Sequence, residues 1–520
     1  MQALIRKLNG NYIVVYAILV LSVLYIAFLV SCVHEGIFYA GDQALKSLEV
    51  KQIAAGYGFK YLHLTQPHWV YSLWQAGYSP LVPPFFYHTA NGYIFVYPPL
   101  FQIISAWFYS KMGTSGLYLL PLLCTFVLLG WTAWLLKVSG VKPVVIALGI
   151  FLLVFCSPLI LYGTMFWEHL PAVTLLFAGV SLIVRAPSTI IGGIALGAVS
   201  GFAIWLRPEA IVMDFLYCIC AGILFLRERK RAYPAFIAAM GLVAVSWMIF
   251  NKLEYGWILG MHGKQLLVDH NNDTRMSLYK GFQNLIRINY LSGRNFSFLA
   301  LLAPILWRLI RTWKREPENN LRPLLLSGIV VLFSLITPFT LPNDGVVQWG
   351  PRYFLAIIPV AVVLLMMVVN QWNILGRWTI PWWITLYIVV GGWNSFYHNT
   401  HGAYTNLRWR YNARVRPIYQ KLDRCEGNVV IVSKPYLMYD LAWLFDKNYF
   451  FSESGDDSLR RLLPQLKDHG VRQFTYIFDP RYSSLPTMLR DSSTRYYWMM
   501  DVKKARKLKE ELVAKVYALK

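Results

Sequence analysis

Acidic residues are scarce in the apolar part of this chain, since residues 1–397 hold only 13 of them. Charges within or beside long apolar runs are costly, so each of these acids is a candidate for chemistry. Asp42 lies nine residues beyond the first apolar run. A carboxylate there could act as a general base towards a hydroxyl that arrives from water. It could also cap a helix predicted at 43–55, and the two roles are compatible.

A second acid, Glu168, is followed by His169 between two long apolar runs. At a boundary between membrane and water, this pair could bind a divalent cation, position a substrate or share a proton with it. The alternative is a solvated turn, which needs polar residues in any case. An isolated Glu-His pair is a weak indication of metal binding, so the sequence leaves the use of a divalent metal open.

Two arginines mark further turns between apolar runs. Arg207 and Glu209 flank a proline, and Arg352 and Tyr353 follow Gly-Pro at the start of another run. A guanidinium at this depth could hold a phosphate through paired hydrogen bonds, or Arg352 could extend to lipid headgroups instead. Asp214, inside the next apolar run, is expected to form an internal ion pair with Arg207, its nearest cation in sequence.

A third set of polar side chains lies in the segment 252–294, which is predicted to be a loop on the outer face. Its candidates for a metal or phosphate site are His262, Lys264, Asp269, His270 and Asp273. Their spacing is not diagnostic. Six candidates are predicted at the same depth on the same face of a membrane: Asp42, Glu168, Arg207, Glu209, His262 and Arg352. A base, a second acid and one or two arginines suit a reaction in which a hydroxyl attacks an activated carbon and an anionic group leaves.

The composition indicates which class of protein must position these residues. The chain has 520 residues, of which 57% are hydrophobic and 14% are charged, yet its formal charge is +23. Its mean hydropathy is +0.44. These values exclude intrinsic disorder, a collagen-like repeat and a small disulfide scaffold. They indicate a membrane protein oriented by its basic residues, and no nucleic-acid partner is expected.

About 20 mostly apolar residues are needed to cross a bilayer, and the apolar runs predict about eleven transmembrane helices. These runs are Tyr12–Val33, Met112–Leu136, Pro143–Trp167, His169–Val184, Ala186–Leu206, Ala210–Leu226, Ala232–Asn251, Asn295–Ile310, Pro323–Asn343, Tyr353–Gly376 and Trp378–Tyr397. Tyr97–Lys111 is interpreted as an amphipathic surface helix. With this count the strongly basic loops, above all Arg227–Arg231, lie in the cytoplasm, as the positive-inside rule requires.

The charge density changes near residue 398, because residues 398–520 hold 22 basic and 13 acidic residues. We therefore predict a transmembrane catalytic domain at 1–397, which includes a first outer loop at 34–116, and an extracytoplasmic α/β domain at 398–520. In the second domain, strands are predicted at 428–433 and 471–478, and a helix at 458–470. Residues 503–520 are expected to form a charged terminal helix.

Taken in order, the short motifs of this sequence resemble those of polytopic glycosyltransferases of the GT-C superfamily, which use polyprenyl-phosphate sugars. Protein O-mannosyltransferases and aminoarabinose transferases belong to that group. The similarity is strongest to a bacterial branch with WEH, LRPE and GPRY motifs. The matching segments are Gly41–Ala44, Tyr97–Leu100, Phe166–His169, Leu206–Glu209 and Gly350–Tyr353.

The resemblance implies that Asp42 acts as the base or orients the acceptor, with Glu168 as a second acid. Relatives often carry two acids where this chain has Asp42-Gln43, which argues against a two-acid metal site at that position. The resemblance also implies a location in a bacterial inner membrane. Eleven spans with a cytoplasmic N-terminus place the site residues and the C-terminal domain on the extracytoplasmic side.

The leading hypothesis is an inverting membrane glycosyltransferase that moves a hexosyl or pentosyl group from a polyprenyl-phosphate donor to an extracytoplasmic glycan, lipid or protein. Its predicted substrate-binding residues are His169, Arg207, Glu209, His262, Lys264, Arg352 and Tyr353. Two alternatives remain at this stage. One is a multi-pass transporter or lipid flippase. The other is a non-catalytic factor in envelope assembly.

Overall fold

A computed structural model describes residues 12–33, 36, 38, 41–63, 66–83, 85–264, 274–312, 317–340, 352–374, 382–405, 416–422, 428–479, 485, 486, 489 and 513–518. The chain forms two compact units. The first comprises Met1–Ser31, Pro98–Phe101 and Tyr118–Tyr404, and the second comprises Cys32–Tyr97, Gln102–Leu117 and Thr405–Lys520. Most of the first outer loop, predicted at 34–116, therefore shares a unit with the C-terminal region.

Helices dominate the described part of the chain. Those with defined bounds are α1 (Ile13–Ser31), α2 (Gly41–Ala54), α3 (His68–Leu73), α4 (Leu100–Met112), α5 (Thr114–Leu117), α6 (Leu119–Val138), α7 (Pro143–Phe155), α8 (Leu159–Gly163), α9 (His169–Val184), α10 (Ile190–Leu206), α11 (Ala210–Glu228), α12 (Ala232–Tyr255), α13 (Thr274–Asn295), α14 (Leu302–Thr312), α15 (Pro317–Thr340), α16 (Ile357–Ile374), α17 (Trp382–Thr405), α18 (Arg416–Leu422), α19 (Tyr436–Tyr439) and α20 (Asp456–Asp468). The strands are β1 (Phe86–Thr89), β2 (Gly92–Phe95), β3 (Val429–Val432), β4 (Tyr449–Ser452), β5 (Gln473–Phe478) and β6 (Val513–Ala518).

Several of these helices can cross a bilayer. Among the described residues, five helical stretches are long and apolar enough: Ile13–Ser31, Thr114–Val138, Ala210–Glu228, Ala232–Tyr255 and Asn320–Thr340. Further apolar helices are shorter, including α7, α9 and α10. The predicted span Pro143–Trp167 is divided between α7 and α8, because Pro158 lies between them and lacks the N–H that a continuous helix needs. The chain is a multi-pass membrane protein.

The closest helix pairing in the first unit joins α10 and α12 through glycines. Gly193 and Gly197 are four residues apart and face the backbone of Ala232 and Phe236. A Cβ atom built on either glycine would overlap the facing carbonyl oxygen. The contacts advance in the same direction along both helices, so the helices run parallel. Small residues at this spacing allow the close backbone approach that holds helices together within a bilayer.

The predicted span at Asn295–Ile310 is wrong as a single helix. Helix α13 ends at Asn295, a short 3-10 helix covers Ser297–Leu301, and α14 follows. Side chains of α17 bond the backbone groups that the break frees. Ser395 Oγ accepts from the Ser297 backbone N–H at 2.9 Å, and Asn399 Nδ2 donates to the Asn295 carbonyl at 2.6 Å. Such partners are what make a helix break tolerable at membrane depth.

The segment before this break also differs from the sequence interpretation, because residues 274–294 were expected to belong to an outer loop. They form α13, which lies antiparallel to α15. Asn284 Nδ2 donates to the Pro338 carbonyl at 3.3 Å, and Phe282 contacts Phe339 edge to face, with 5.3 Å between ring centroids. The many polar residues of α13 interrupt any long apolar run, which is why the sequence did not predict this helix.

The second unit contains a four-stranded sheet in the order β4-β3-β5-β6. Strand β3 pairs in parallel with β5, as the strand–helix–strand order of the sequence predicts. It also pairs in parallel with β4, a strand that the sequence did not predict. Helix α20 begins and ends two residues before the predicted helix at 458–470, with Leu459, Leu462 and Leu466 buried. A separate hairpin pairs β1 with β2.

The predicted terminal helix at 503–520 is wrong where the structure describes it, because residues 513–518 form β6. This strand pairs antiparallel with β5, and Tyr517 stacks on Phe474 with ring centroids 5.4 Å apart. Valine and tyrosine favour strands, and pairing along β5 outweighs the helical tendency of the neighbouring lysines and glutamates. Residues 503–512 lie outside the described residues.

The α10–α12 interface yields a stability prediction. Gly197→Ala should lower the free energy of unfolding by about 2 kcal/mol, because the added methyl group must push two helix backbones apart. Thermal unfolding in detergent, followed by loss of the monodisperse peak, measures the effect.

The matched control is Gly222→Ala in α11, where a Cβ atom would meet nothing within 4 Å. That variant should be as stable as the parent or slightly more so, since alanine favours a helix over glycine by about 1 kcal/mol. Equal destabilisation of the two variants would contradict the close-packing interpretation.

Candidate functional site

Arg207 lies at the centre of a buried polar cluster in the first unit. It follows the last residue of α10, and its backbone is extended, with φ −145° and ψ 110°. The following Pro208 favours this conformation by excluding the helical one. Glu168 directly precedes α9, and Glu209 directly precedes α11. Three helix ends therefore bring these charged residues together.

The guanidinium of Arg207 joins the three helix ends. Its Nη1 donates to Glu168 Oε1 at 2.9 Å and to His169 Nε2 at 2.8 Å. Its Nη2 donates to Glu209 Oε1 at 2.9 Å. The same nitrogen, Nη1, also lies 3.3 Å from His169 Nδ1, so the imidazole ring packs directly against the guanidinium.

The charges in this cluster stabilise each other's ionised forms. Burial opposes ionisation of Glu209, but the charge of Arg207 and a hydrogen bond with His262 outweigh it. They hold the pKa of the Glu209 carboxyl well below its usual value. Burial also disfavours the charged form of Arg207, yet Glu209 and Glu168 raise its pKa above the ordinary value. Arg207 and Glu209 thus form an ion pair at neutral pH.

Arg352 and Tyr353 meet the same cluster from a 3-10 turn that precedes α16. Arg352 Nη2 lies 2.8 Å from Tyr353 Oη. The guanidinium carbons of Arg352 and Arg207 lie 4.7 Å and 5.8 Å from the centroid of the Tyr353 ring. A small cavity of about 40 Å³ is lined by both arginines, His169 and Glu209 together with apolar side chains. The structure thus brings together two arginines that are 145 positions apart in sequence.

The two candidates from the segment 252–294 that the structure describes differ in their surroundings. His262 Nε2 lies 3.4 Å from Glu209 Oε1 and belongs to the cluster. Lys264 Nζ lies 5.6 Å from the centroid of the Trp257 ring. The remaining candidates, Asp269, His270 and Asp273, lie outside the described residues.

Asp42 belongs to the second unit. Helix α2 begins at Gly41, two residues before the predicted start, so Asp42 lies in its first turn. A carboxylate in that position is stabilised by the N-terminal N–H groups and the helix dipole. The predicted approach of Asp42 to the Arg207 cluster stays a prediction.

Helix α2 carries ionisable residues that the sequence interpretation missed. Lys46 and Glu49 follow Asp42 at helical spacing, and both side chains are buried. Gln102 Nε2 donates to Glu49 Oε2 at 3.0 Å, and Lys46 Nζ lies 4.6 Å from the centroid of the Tyr97 ring. Burial raises the pKa of Glu49 well above its usual value, which Lys46 and Gln102 only partly counter. The signal in the sequence was the i, i+4, i+7 spacing of the three charged residues.

The expected ion pair between Asp214 and Arg207 is wrong. Ser200 Oγ donates to Asp214 Oδ1 at 2.6 Å across α10 and α11. Arg207 is instead engaged by Glu168, His169 and Glu209 at the end of the same helix. Proximity in sequence was misleading. Asp214 faces Ser200 within α10, whereas Arg207 lies beyond the end of that helix.

No group of three or more His, Cys, Asp or Glu side chains in the described ranges is placed to hold a metal ion.

Removal of the central cation tests the cluster. Arg207→Met leaves two buried carboxylates without their partner, so the free energy of unfolding should fall by about 3–5 kcal/mol at pH 7. Adding Glu168→Gln and Glu209→Gln should restore most of the loss. Denaturant unfolding in detergent measures all variants.

The same variants should differ in pH dependence. The folded-state pKa of Glu209 is depressed, so its stabilising contribution is present above the unfolded pKa of about 4.3 and is lost as the pH falls through the folded value. The difference in free energy of unfolding between the parent and Arg207→Met should therefore become smaller as the pH is lowered. Equal instability of Arg207→Met and the triple variant at pH 7 would contradict the claim that the two unpaired carboxylates cause the loss of stability.

Comparison with known proteins gives a structural likeness only. No family model and no curated protein match the sequence. Crystal structures of ArnT from Cupriavidus metallidurans, one bound to undecaprenyl phosphate and one in the apo state, are similar to this chain. Each has a TM-score of 0.56 and 10% sequence identity, and the match covers 97% of this chain and 98% of ArnT. At this identity the likeness concerns the fold, and it confirms the predicted polytopic α-helical membrane fold.

Proposed function

We propose that this protein is a membrane glycosyltransferase that uses a polyprenyl-phosphate sugar at the outer face of a bacterial inner membrane. The acceptor hydroxyl oxygen attacks the anomeric carbon, and the bond from that carbon to the phosphate oxygen breaks. Asp42 takes the hydroxyl proton, and the polyprenyl phosphate leaves as an anion. Attack opposite the leaving group inverts the configuration at the anomeric carbon.

The observation that carries this proposal is the pairing of Arg352 with Arg207 around Tyr353. Arg207 already donates to two carboxylates and one imidazole, so its role is to fix the cluster. Arg352 is the arginine that we assign to the departing phosphate, because a guanidinium matches phosphate oxygens in both charge and geometry. The binding of undecaprenyl phosphate by ArnT, which has the same fold, supports this assignment.

The remaining cluster residues act as positioning residues. Glu168 and Glu209 neutralise Arg207, and His169 accepts its third hydrogen bond, so these side chains hold the helix ends in register. Glu168 was predicted as a second catalytic acid. Its ion pair with Arg207, at 2.9 Å with 7% of its side chain exposed, favours a positioning role instead.

The role of Asp42 is tested by Asp42→Asn, which should abolish transfer in membranes while the protein still accumulates. The amide keeps the size of the side chain but cannot accept the proton. Product formation from a radiolabelled polyprenyl-phosphate sugar is the measurement. Asp468→Asn, an exposed acid at the end of α20, is the matched control and should retain full activity.

Two outcomes would count against the proposal. Retained transfer by Asp42→Asn would remove the assigned base. A substrate gradient across proteoliposomes without any glycosidic product would favour the transporter alternative.

The role of Arg352 is tested by Arg352→Gln. Loss of a charge-assisted hydrogen bond of about 2 kcal/mol should weaken binding of polyprenyl phosphate about 30-fold. Binding of the uncharged polyprenol should not change. Arg311→Gln, at an exposed arginine near the end of α14, is the control and should bind polyprenyl phosphate as the parent does. Equal weakening for polyprenol would show that Arg352 supports the fold rather than the phosphate.

A further inference from the structure

The second unit contains a groove of about 720 Å³, and none of the residues that line it is assigned to the reaction. It is formed by the C-terminal half of α2, the loop 57–63, the end of α4 and residues 443–446. Its volume lies within the range typical of sites for small ligands. The groove therefore has the capacity for a ligand of several rings.

The side chains of the groove include a paired cation and carboxylate. Lys51 Nζ donates to Asp446 Oδ2 at 2.7 Å and lies 3.5 Å from the centroid of the Trp443 ring. The Asp446 side chain is 58% exposed, so its carboxylate can accept further hydrogen bonds. Lys111 adds a second, exposed ammonium group. Donors and acceptors thus lie side by side in one groove.

An aromatic surface lies in the same groove. Tyr57 stacks on His63, with ring centroids 3.7 Å apart, and Tyr57 is 44% exposed. The buried Gln52 fixes the loop beneath them. Its Nε2 donates to the Gly58 and Tyr61 carbonyls, and its Oε1 accepts from the His63 backbone N–H at 2.9 Å. This surface is therefore ordered before any ligand arrives, which reduces the entropy lost on binding.

We propose that this groove binds a short saccharide. The apolar face of a pyranose ring would lie on Tyr57, and its hydroxyl groups would pair with Asp446 and Lys51. A ligand rich in hydroxyls needs such adjacent donors and acceptors, and the ring of Tyr57 offers the apolar surface that a sugar ring needs. Lys111 is available to an acidic substituent on the sugar. That the saccharide is the acceptor of transfer rests on the proposed function, but the binding itself does not.

The test uses the full chain in lipid nanodiscs and saturation-transfer difference NMR, which detects weak binding. The probes are maltotriose, which is neutral, and a hyaluronan tetrasaccharide, which is acidic. At least one should bind with a Kd on the order of 1 mM. Tyr57→Ala and Asp446→Asn should each weaken that binding about tenfold. Preference for the tetrasaccharide, lost in Lys111→Gln, would identify the ligand as acidic.

The control is Tyr436→Ala, which removes another exposed tyrosine of the second unit and should leave binding unchanged. Absence of binding by the parent protein to both probes up to about 10 mM would overturn the proposal. So would equal binding by the parent and Tyr57→Ala. Asp42→Asn separates the two proposals, because it should lose transfer and keep saccharide binding. If Asp42→Asn kept transfer activity while Tyr57→Ala lost saccharide binding, the role of Asp42 in the proposed function would be contradicted and the saccharide site would not.

Discussion

The charge of Arg207 determines how three helix ends of the first unit are arranged. A guanidinium with 16% of its side chain exposed needs compensation, and both neighbouring carboxylates come from residues directly before helices. The ends of α9, α10 and α11 are therefore joined at one point. Removing Arg207 leaves two carboxylates buried without their partner, which is more destabilising than the loss of the contacts alone.

The need of a buried polar group for a partner also explains polar residues elsewhere in the first unit. The break after α13 is tolerated because Ser395 and Asn399 bond the freed backbone groups. Asp214 is held by Ser200 rather than by a cation. In each case a polar group within an apolar surrounding has a specific partner on another helix.

The sequence was informative where a short motif lies at the end of an apolar run. Glu168, Arg207 and Arg352 were predicted at one depth because each lies at the boundary of a run, and the structure brings them together. The partner of Asp214, the break after α13 and the strand β6 were not predictable, because each depends on a contact with a distant segment. Lys46 and Glu49 were missed since a buried polar helix looks like a solvated one until its neighbours are known.

The glycine contact between α10 and α12 has a thermodynamic consequence. Helices form within a bilayer before they associate, so their association orders mainly side chains. At Gly193 and Gly197 no side chain exists to lose rotamer freedom, and backbone meets backbone directly. Helix α10, which Arg207 follows, is thus held by an interface that forms with little loss of entropy. The association of α10 with α12 should therefore weaken less on warming than an association built from long side chains.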